Sequence, residues 1–208
     1  MNSFFGTHAY KLIGKFITTG ASPNDWRSTQ NGNLWQDNIV IPEGFTYGEV
    51  TNPTTGRVWM DRNLGASRVA TSSTDSAAYG DLYQWGRATD GHEKRTSGVT
   101  TELNGGSADA PIGNSVWRLP TEAEWEAERS SWDNNNAAGA FGSVLKLAMA
   151  GFRDNSSGSL SNIGVYGGCW SSTLDGIYSR FLDFSGSSSF MNSFNRSIGG
   201  SVRLIKDI

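Results

Sequence analysis

Apolar residues in this chain come in short bursts cut off by turn formers. Ile39-Val40-Ile41 stops at Pro42-Glu43-Gly44, and Phe45 to Val50 resumes the pattern. Asn52-Pro53-Thr54-Thr55-Gly56 reads as a turn and Arg57-Val58-Trp59-Met60 runs back, which predicts an antiparallel hairpin. Residues 82–85 read as a short strand, with Leu82 and Gln84 on one face and Tyr83 and Trp85 on the other. Leu145, Leu147 and Met149 alternate with Lys146, Ala148 and Ala150, which predicts another strand. Further on, Arg180, Leu182 and Phe184 alternate with Phe181, Asp183 and Ser185. With Leu182 and Phe184 turned to the core, Phe181, Asp183 and Ser185 face out together. Residues 201–205 form a closing strand, Ser156-Ser157-Gly158-Ser159 a turn, 66–81 a loop or short helix and 89–115 a polar loop.

The helical signals are fewer. Leu119-Pro120-Thr121-Glu122-Ala123-Glu124-Trp125 predicts a helix start with Thr121 as N-cap, Glu124 as its reciprocal partner, and Trp125 packing back on Leu119 or Pro120. Its acids suit the positive end of the helix dipole and call for no catalytic role. A second short helix starts after Asn136. The expectation is α+β: two short helices on a small twisted antiparallel sheet with long loops. Residues 1–40, with their broken apolar pieces, form an N-terminal accessory or attachment segment, and 41–208 the main domain.

Composition sharpens this. Charged residues are only 18%, with 26 Gly, 8 Trp and 10 Phe, which suits a turn-rich, aromatic-cored domain. A net charge of -3 speaks against a nucleic-acid partner, which calls for a basic stripe. The single cysteine, Cys169, excludes an intrachain disulfide framework and a Cys-based zinc site. No apolar run approaches the roughly 20 residues of a membrane span, and no signal peptide is visible. The expected protein is therefore made in the cytoplasm, without membrane insertion, and reaches any outside target by another route such as release in a virus particle.

One stretch stands apart. All sixteen Lys, Glu and Gln residues fall outside positions 147–205. The segment from Val165 to Gly200 is instead built of Ser, Gly, Phe, Tyr, Asn and Asp. That vocabulary offers rigid aromatic area and adaptable hydrogen bonding at low entropic cost. It reads as a binding face held by the rest of the chain.

Six segments then fall in order: G-R-V-W-M-D-R-N-L-G-A-S (56–67), G-D-L-Y-Q-W-G-R-A (80–88), W-R-L-P-T-E-A-E-W-E (117–126), A-G-F-R (150–153), W-S-S-T (170–173) and G-S-V-R-L-I-K-D (200–207). Together they resemble the C-type-lectin-fold domains of the formylglycine-generating-enzyme-like and FISUMP type, and above all the variable proteins of diversity-generating retroelements found in phages and prophages. The resemblance covers about residues 45–208. It implies a C-type lectin-like fold and a non-enzymatic, cofactor-free protein that binds a protein or glycan ligand on a target cell, attached to a virion or larger assembly through residues 1–40. In such proteins a reverse transcriptase replaces template adenines, so that AAC codons become many residues but never Lys, Glu, Gln, Met or Trp. By that analogy the diversified, ligand-facing set over about 165–200 is Val165, Tyr166, Gly168, Cys169, Asp175, Ile177, Tyr178, Phe181, Asp183, Ser185, Phe190, Asn192, Phe194, Asn195, Ile198 and Gly200. Trp170, Leu182, Phe184 and Val202 are the fixed scaffold. Tyr166, Tyr178, Phe181, Phe190 and Phe194 are expected to form an exposed aromatic patch.

Two other chemistries are weaker. A formylglycine-generating oxidase needs a pair of cysteines for copper, and Cys169 stands alone. A calcium-dependent lectin uses an E-P-N or Q-P-D tripeptide, absent here. Asp133 with Asn134 to Asn136 offers oxygen ligands that calcium favours but also serves as an Asn-rich loop and helix cap. His8 and His92 lack partners at zinc spacing, and Ser171 and Ser172 lack a nucleophile-elbow context.

Overall fold

The computed structural model describes residues 46–87, 89–98 and 116–207, all within the unit Trp35–Ile208. The expected N-terminal segment, the strand at Ile39 and most of the loop 89–115 lie outside the described residues. The hairpin forms as β1 (Glu49–Thr51) and β2 (Val58–Met60). Its turn is set by Asn52, whose Oδ1 accepts the Thr54 N–H at 2.8 Å, and by Gly56 at φ 70°. Strands β3 (Tyr83–Gln84) and β4 (Trp117–Arg118) follow, then helices α1 (Glu122–Ser130) and α2 (Ala137–Gly142), and a small hairpin β5 (Phe152–Arg153)/β6 (Leu160–Ser161). Three longer strands come next: β7 (Tyr166–Asp175), β8 (Tyr178–Ser185) and β9 (Ser189–Asn195). The chain closes with β10 (Gly199–Gly200) and β11 (Ile205–Lys206).

These make three small antiparallel sheets, in orders β1-β2-β11-β4, β3-β10-β5-β6 and β7-β8-β9. With two short helices this is an α+β fold. No helix among the described residues is long and apolar enough to cross a membrane. α1 carries the expected capping box, Thr121 Oγ1 accepting the Glu124 N–H and Glu124 accepting the Thr121 N–H. α2 is capped by Asn136. Trp125 has its ring centroid 4.8 Å from that of Trp59 and belongs to a different apolar cluster from Leu119.

Two strand expectations change. Residues 145–149 are buried loop: Lys146 sits at φ 48°, and the Leu147 and Met149 N–H groups donate to Ala140 and Ser73 carbonyls. Their alternation reflects Leu145 and Leu147 entering the core, without a partner strand. At the C-terminus the strand is only Ile205–Lys206, preceded by a parallel bridge from Ser201 to Cys169. The buried Arg203 ties the loops together there, donating to Asn63 Oδ1 at 3.1 Å, the Met60 carbonyl at 3.2 Å and the Leu145 carbonyl at 2.8 Å. In the expected strand at 82–85, of which Tyr83–Gln84 is strand, Leu82, Tyr83 and Trp85 are buried and Gln84 half-buried.

Candidate functional site

The β7-β8-β9 sheet carries most of the residues singled out from sequence, and its register sorts them. Paired residues share a face. One face carries the ladders Trp170–Phe181–Asn192 and Gly168–Asp183–Phe190, with Tyr166 opposite Ser185 and Ser179 opposite Phe194. The other carries Cys169–Leu182–Met191 and Asp175–Tyr178–Asn195. Helices α1 and α2 cover the second face: Trp132 meets Phe184 edge-on at 6.2 Å, and Trp125 and Ala140 complete that cluster.

The first face is covered over part of its length. Phe181 is only 2% exposed and lies 4.8 Å from Trp170 and 5.1 Å from Phe194, within a cluster that includes Tyr83, Trp85 and Ile198. Its ring fills space left by two glycines: a Cβ on Gly168 would stand 2.2 Å from it, and one on Gly200 2.6 Å. The expectation that Phe181, Asp183 and Ser185 face out together is therefore corrected. β8 is the central strand with core on both sides, so Phe181 and Asp183 are buried and Ser185 half-buried. The expected five-membered aromatic patch does not form: Phe181 is buried, Tyr166 and Phe194 are half-buried, and the two exposed rings, Tyr178 and Phe190, lie on opposite faces of the sheet. Of the remaining expected positions Val165, Asp175, Ile177, Asn192 and Asn195 are exposed, whereas Gly168, Cys169, Ile198 and Gly200 are buried.

The exposed positions rest on a braced frame. The register of β7 against β8 shifts between Trp170 and Leu174, which takes carbonyls off the ladder. Indoles satisfy them: Trp125 Nε1 donates to the Trp170 carbonyl at 3.1 Å and Trp85 Nε1 to that of Ser171 at 2.8 Å. The β7–β8 turn, with Gly176 at φ 58°, lifts Ile177 into solvent at 78% exposure. Arg196 holds this tip from below, its guanidinium 4.7 Å over Trp85 and donating to the carbonyls of Gly176 and Tyr178. On the second face, Arg180 links Glu122 and Ser193. Strand β9 is the sheet edge, yet side chains cap it. Arg129 and Arg180 donate to the Ser189 and Met191 carbonyls, and the Ser193 N–H donates to Asn192 Oδ1. Such capping blunts an edge against strand addition.

On the first face lies an acid that its strand alternation placed outward. Asp183 is 1% exposed. It accepts a hydrogen bond from Asn192 Nδ2 at 3.2 Å. Burial pushes its carboxyl above the usual aspartate range, against the opposing pull of the Tyr166 and Asn192 side chains. Among the described residues no ammonium or guanidinium pairs with it.

Other chemistry is structural. Burial pushes the Cys169 thiol up to about 12, with Arg203 opposing, so the thiolate a nucleophile or metal ligand needs is suppressed. Asp90, His92 and Glu93 lie close enough to suggest a cation. His92 Nε2, however, accepts the Gln84 N–H at 3.1 Å, which puts the ring proton on Nδ1, facing Asp90 Oδ1 at 2.7 Å. A metal on Nδ1 would force a proton onto Nε2, against the Gln84 N–H. Asn134 and Asn136, weighed as calcium ligands, act locally: the Asn134 carbonyl accepts the Asn136 N–H, and Asn136 Oδ1 caps α2. Comparison of the chain with protein-family models, curated proteins and solved structures finds no match.

Proposed function

We propose that this chain is a non-enzymatic ligand-binding protein with a C-type lectin-like fold, whose β7-β8-β9 sheet and adjoining loops form a retroelement-diversified surface, as on a phage receptor-binding or display protein. One observation carries the reading. Of seven exposed large apolar side chains among the described residues, six (Ile163, Val165, Leu174, Ile177, Tyr178 and Phe190) fall within the stretch that lacks Lys, Glu and Gln. Exposed apolar area of this kind on a soluble domain marks an interaction site. The frame beneath it, built of indole-to-carbonyl bonds and buried glycines, is what surface variation without unfolding requires. Its ligand is a protein or glycan on a target cell.

DNA sequence tests this directly. The region downstream of the gene should hold a near-identical repeat whose mismatches fall at adenines, beside a reverse-transcriptase gene. Mismatches should gather at codons such as those for Val165, Ile177, Tyr178, Phe190, Asn192 and Asn195. Absence of both repeat and enzyme would favour an ordinary, undiversified adhesin or carbohydrate-binding module.

A further inference from the structure

We propose that His92 is a proton-operated latch: its neutral ring holds the segment from Asp90 to Glu93 on the free edge of β3, and protonation of the ring releases it. β3 is the outer strand of the β3-β10-β5-β6 sheet, and an outer strand leaves backbone groups on its far side without a neighbouring strand. Two groups of the 90–93 segment stand in for one. The Glu93 carbonyl accepts the Leu82 N–H at 2.8 Å, and His92 Nε2 accepts the Gln84 N–H at 3.1 Å. The first bond is indifferent to pH and the second is not. A ring nitrogen accepts only while it carries no proton. Imidazolium has an N–H on both nitrogens, so a further proton sets two donors face to face across that 3.1 Å. They must part, because a buried donor left without an acceptor is costly.

The groups around the ring set the direction. The His92 side chain is 7% exposed, and its ring stands edge-on to Tyr83 at 6.2 Å. Burial disfavours the charged ring, and the nearby Arg87 guanidinium adds to that. Asp90 Oδ1, 2.7 Å from Nδ1, and Glu93 Oε2, 3.5 Å from it, pull the other way. Burial prevails, so the ring binds its extra proton less tightly than an ordinary histidine. Of the other titratable groups close by, Lys94 pairs with Asp81 and Glu93, and burial keeps the Tyr83 hydroxyl neutral. The latch is therefore complete above the ordinary histidine value of 6.5, weakens as pH falls below it, and is lost at the lower value of the folded state. Release is local: Arg95 donates to the Ala150 carbonyl at 2.6 Å and Arg153 to that of Lys94 at 2.8 Å, which keeps residues 94 and 95 seated. It acts next to the β9–β10 turn, whose Ser197 and Arg196 carbonyls accept Gln84 Nε2 and the Trp85 N–H.

The test is NMR of the full chain, which has only two histidines. At neutral pH the His92 ring nitrogens should show the proton on Nδ1 and a lone pair on Nε2, and the ring should titrate below 6.5. Hydrogen exchange of the Gln84 amide, taken as a protection factor to remove the intrinsic effect of pH, reads the latch itself. That factor should fall roughly tenfold for each pH unit below 6.5 until the ring has titrated, then level off. His92→Gln keeps an oxygen acceptor at similar reach and takes no proton, so in it the fall should vanish. A proton on Nε2 at neutral pH, a ring that titrates at or above 6.5, or a Gln84 protection factor flat across the range would each overturn the latch. These three readings need only the parent protein, so they decide even where His92→Gln folds poorly. In a folded His92→Gln, a fall that survives unchanged would overturn it as well.

Discussion

Phe181 separates a frame residue from a free one more sharply than any other position. Its sequence pattern places it outward, yet its ring is 2% exposed between Trp170 and Phe194 and occupies the space above Gly168 and Gly200. Phe181→Ala therefore empties a site whose floor is bare backbone and whose walls are indole and phenyl rings, which cannot collapse inward. Buried Phe→Ala changes cost about 3–5 kcal/mol, and two lost edge-to-face contacts put this one toward the upper part of that range. Against a typical stability of about 5–15 kcal/mol, the change lowers the melting temperature on the order of 10 °C. Phe190→Ala, at an exposed position two residues along the edge strand from Asn192, the partner of Phe181, should cost about 1 kcal/mol or less. The assay is urea unfolding of both variants beside the parent, followed by tryptophan fluorescence. A Phe181→Ala midpoint within error of Phe190→Ala would refute the division of this sheet into frame and free positions.

Other residues give narrower tests. Thr121→Ala removes half of the α1 capping box and should cost about 1 kcal/mol in urea unfolding. The Cys169 thiol, pushed up to about 12 by burial, should resist Ellman's reagent in the native state and react fully once the protein unfolds; rapid native labelling would contradict its enclosure. At low pH, Asp75 and Asp154 matter. The Arg68 guanidinium holds Asp75 well below the usual range, and the Ser156 hydroxyl and Ser157 N–H bring Asp154 down to about 2. The folded state thus binds these protons less tightly than the unfolded chain, so the stability they add is present above about pH 4 and is lost as pH falls through 2. Asp75→Asn should flatten the acid limb of a urea-stability profile, and an unchanged limb would rule the pair out as its source.

Local chemistry was legible in the sequence because it is short-range. The Asn52–Gly56 turn, the Thr121/Glu124 box and the Asn136 cap each depend on residues within four positions of one another. What escaped depends on layers. Alternation in residues 180–185 was read as one face in and one out, but β8 is central, with helices over Leu182 and Phe184 and the Tyr83/Trp85 cluster over Phe181. Period-2 alternation cannot tell a two-sided strand from a one-sided one when both faces bear large rings. A signal was present: Gly168 and Gly200 flank the ring in space, and glycine inside a strand often marks close approach of another group. The indole bonds that hold the shifted stretch of β7 join residues 45 and 86 positions apart, beyond any local pattern.

The layering also limits where variation can be tolerated. Side chains on β8 touch core above and below, so a change at Phe181, Leu182 or Phe184 is a packing change first and a surface change second. β9 borders only one strand, and its residues Phe190, Asn192 and Asn195 can differ in size without displacing a second layer. The β7–β8 tip is freer still, because Arg196 and Gly176 fix its backbone whatever Ile177 becomes. Freedom should therefore rise from the centre of the sheet to its edge and its turn. A library randomised at Ile177, Phe190 and Asn192 should keep the parent's unfolding cooperativity in most members, whereas the same library at Phe181, Asp183 and Ile198 should lose it in most. Equal tolerance at the two sets would mean that the sheet is not the rigid element, and that the frame lies elsewhere in the chain.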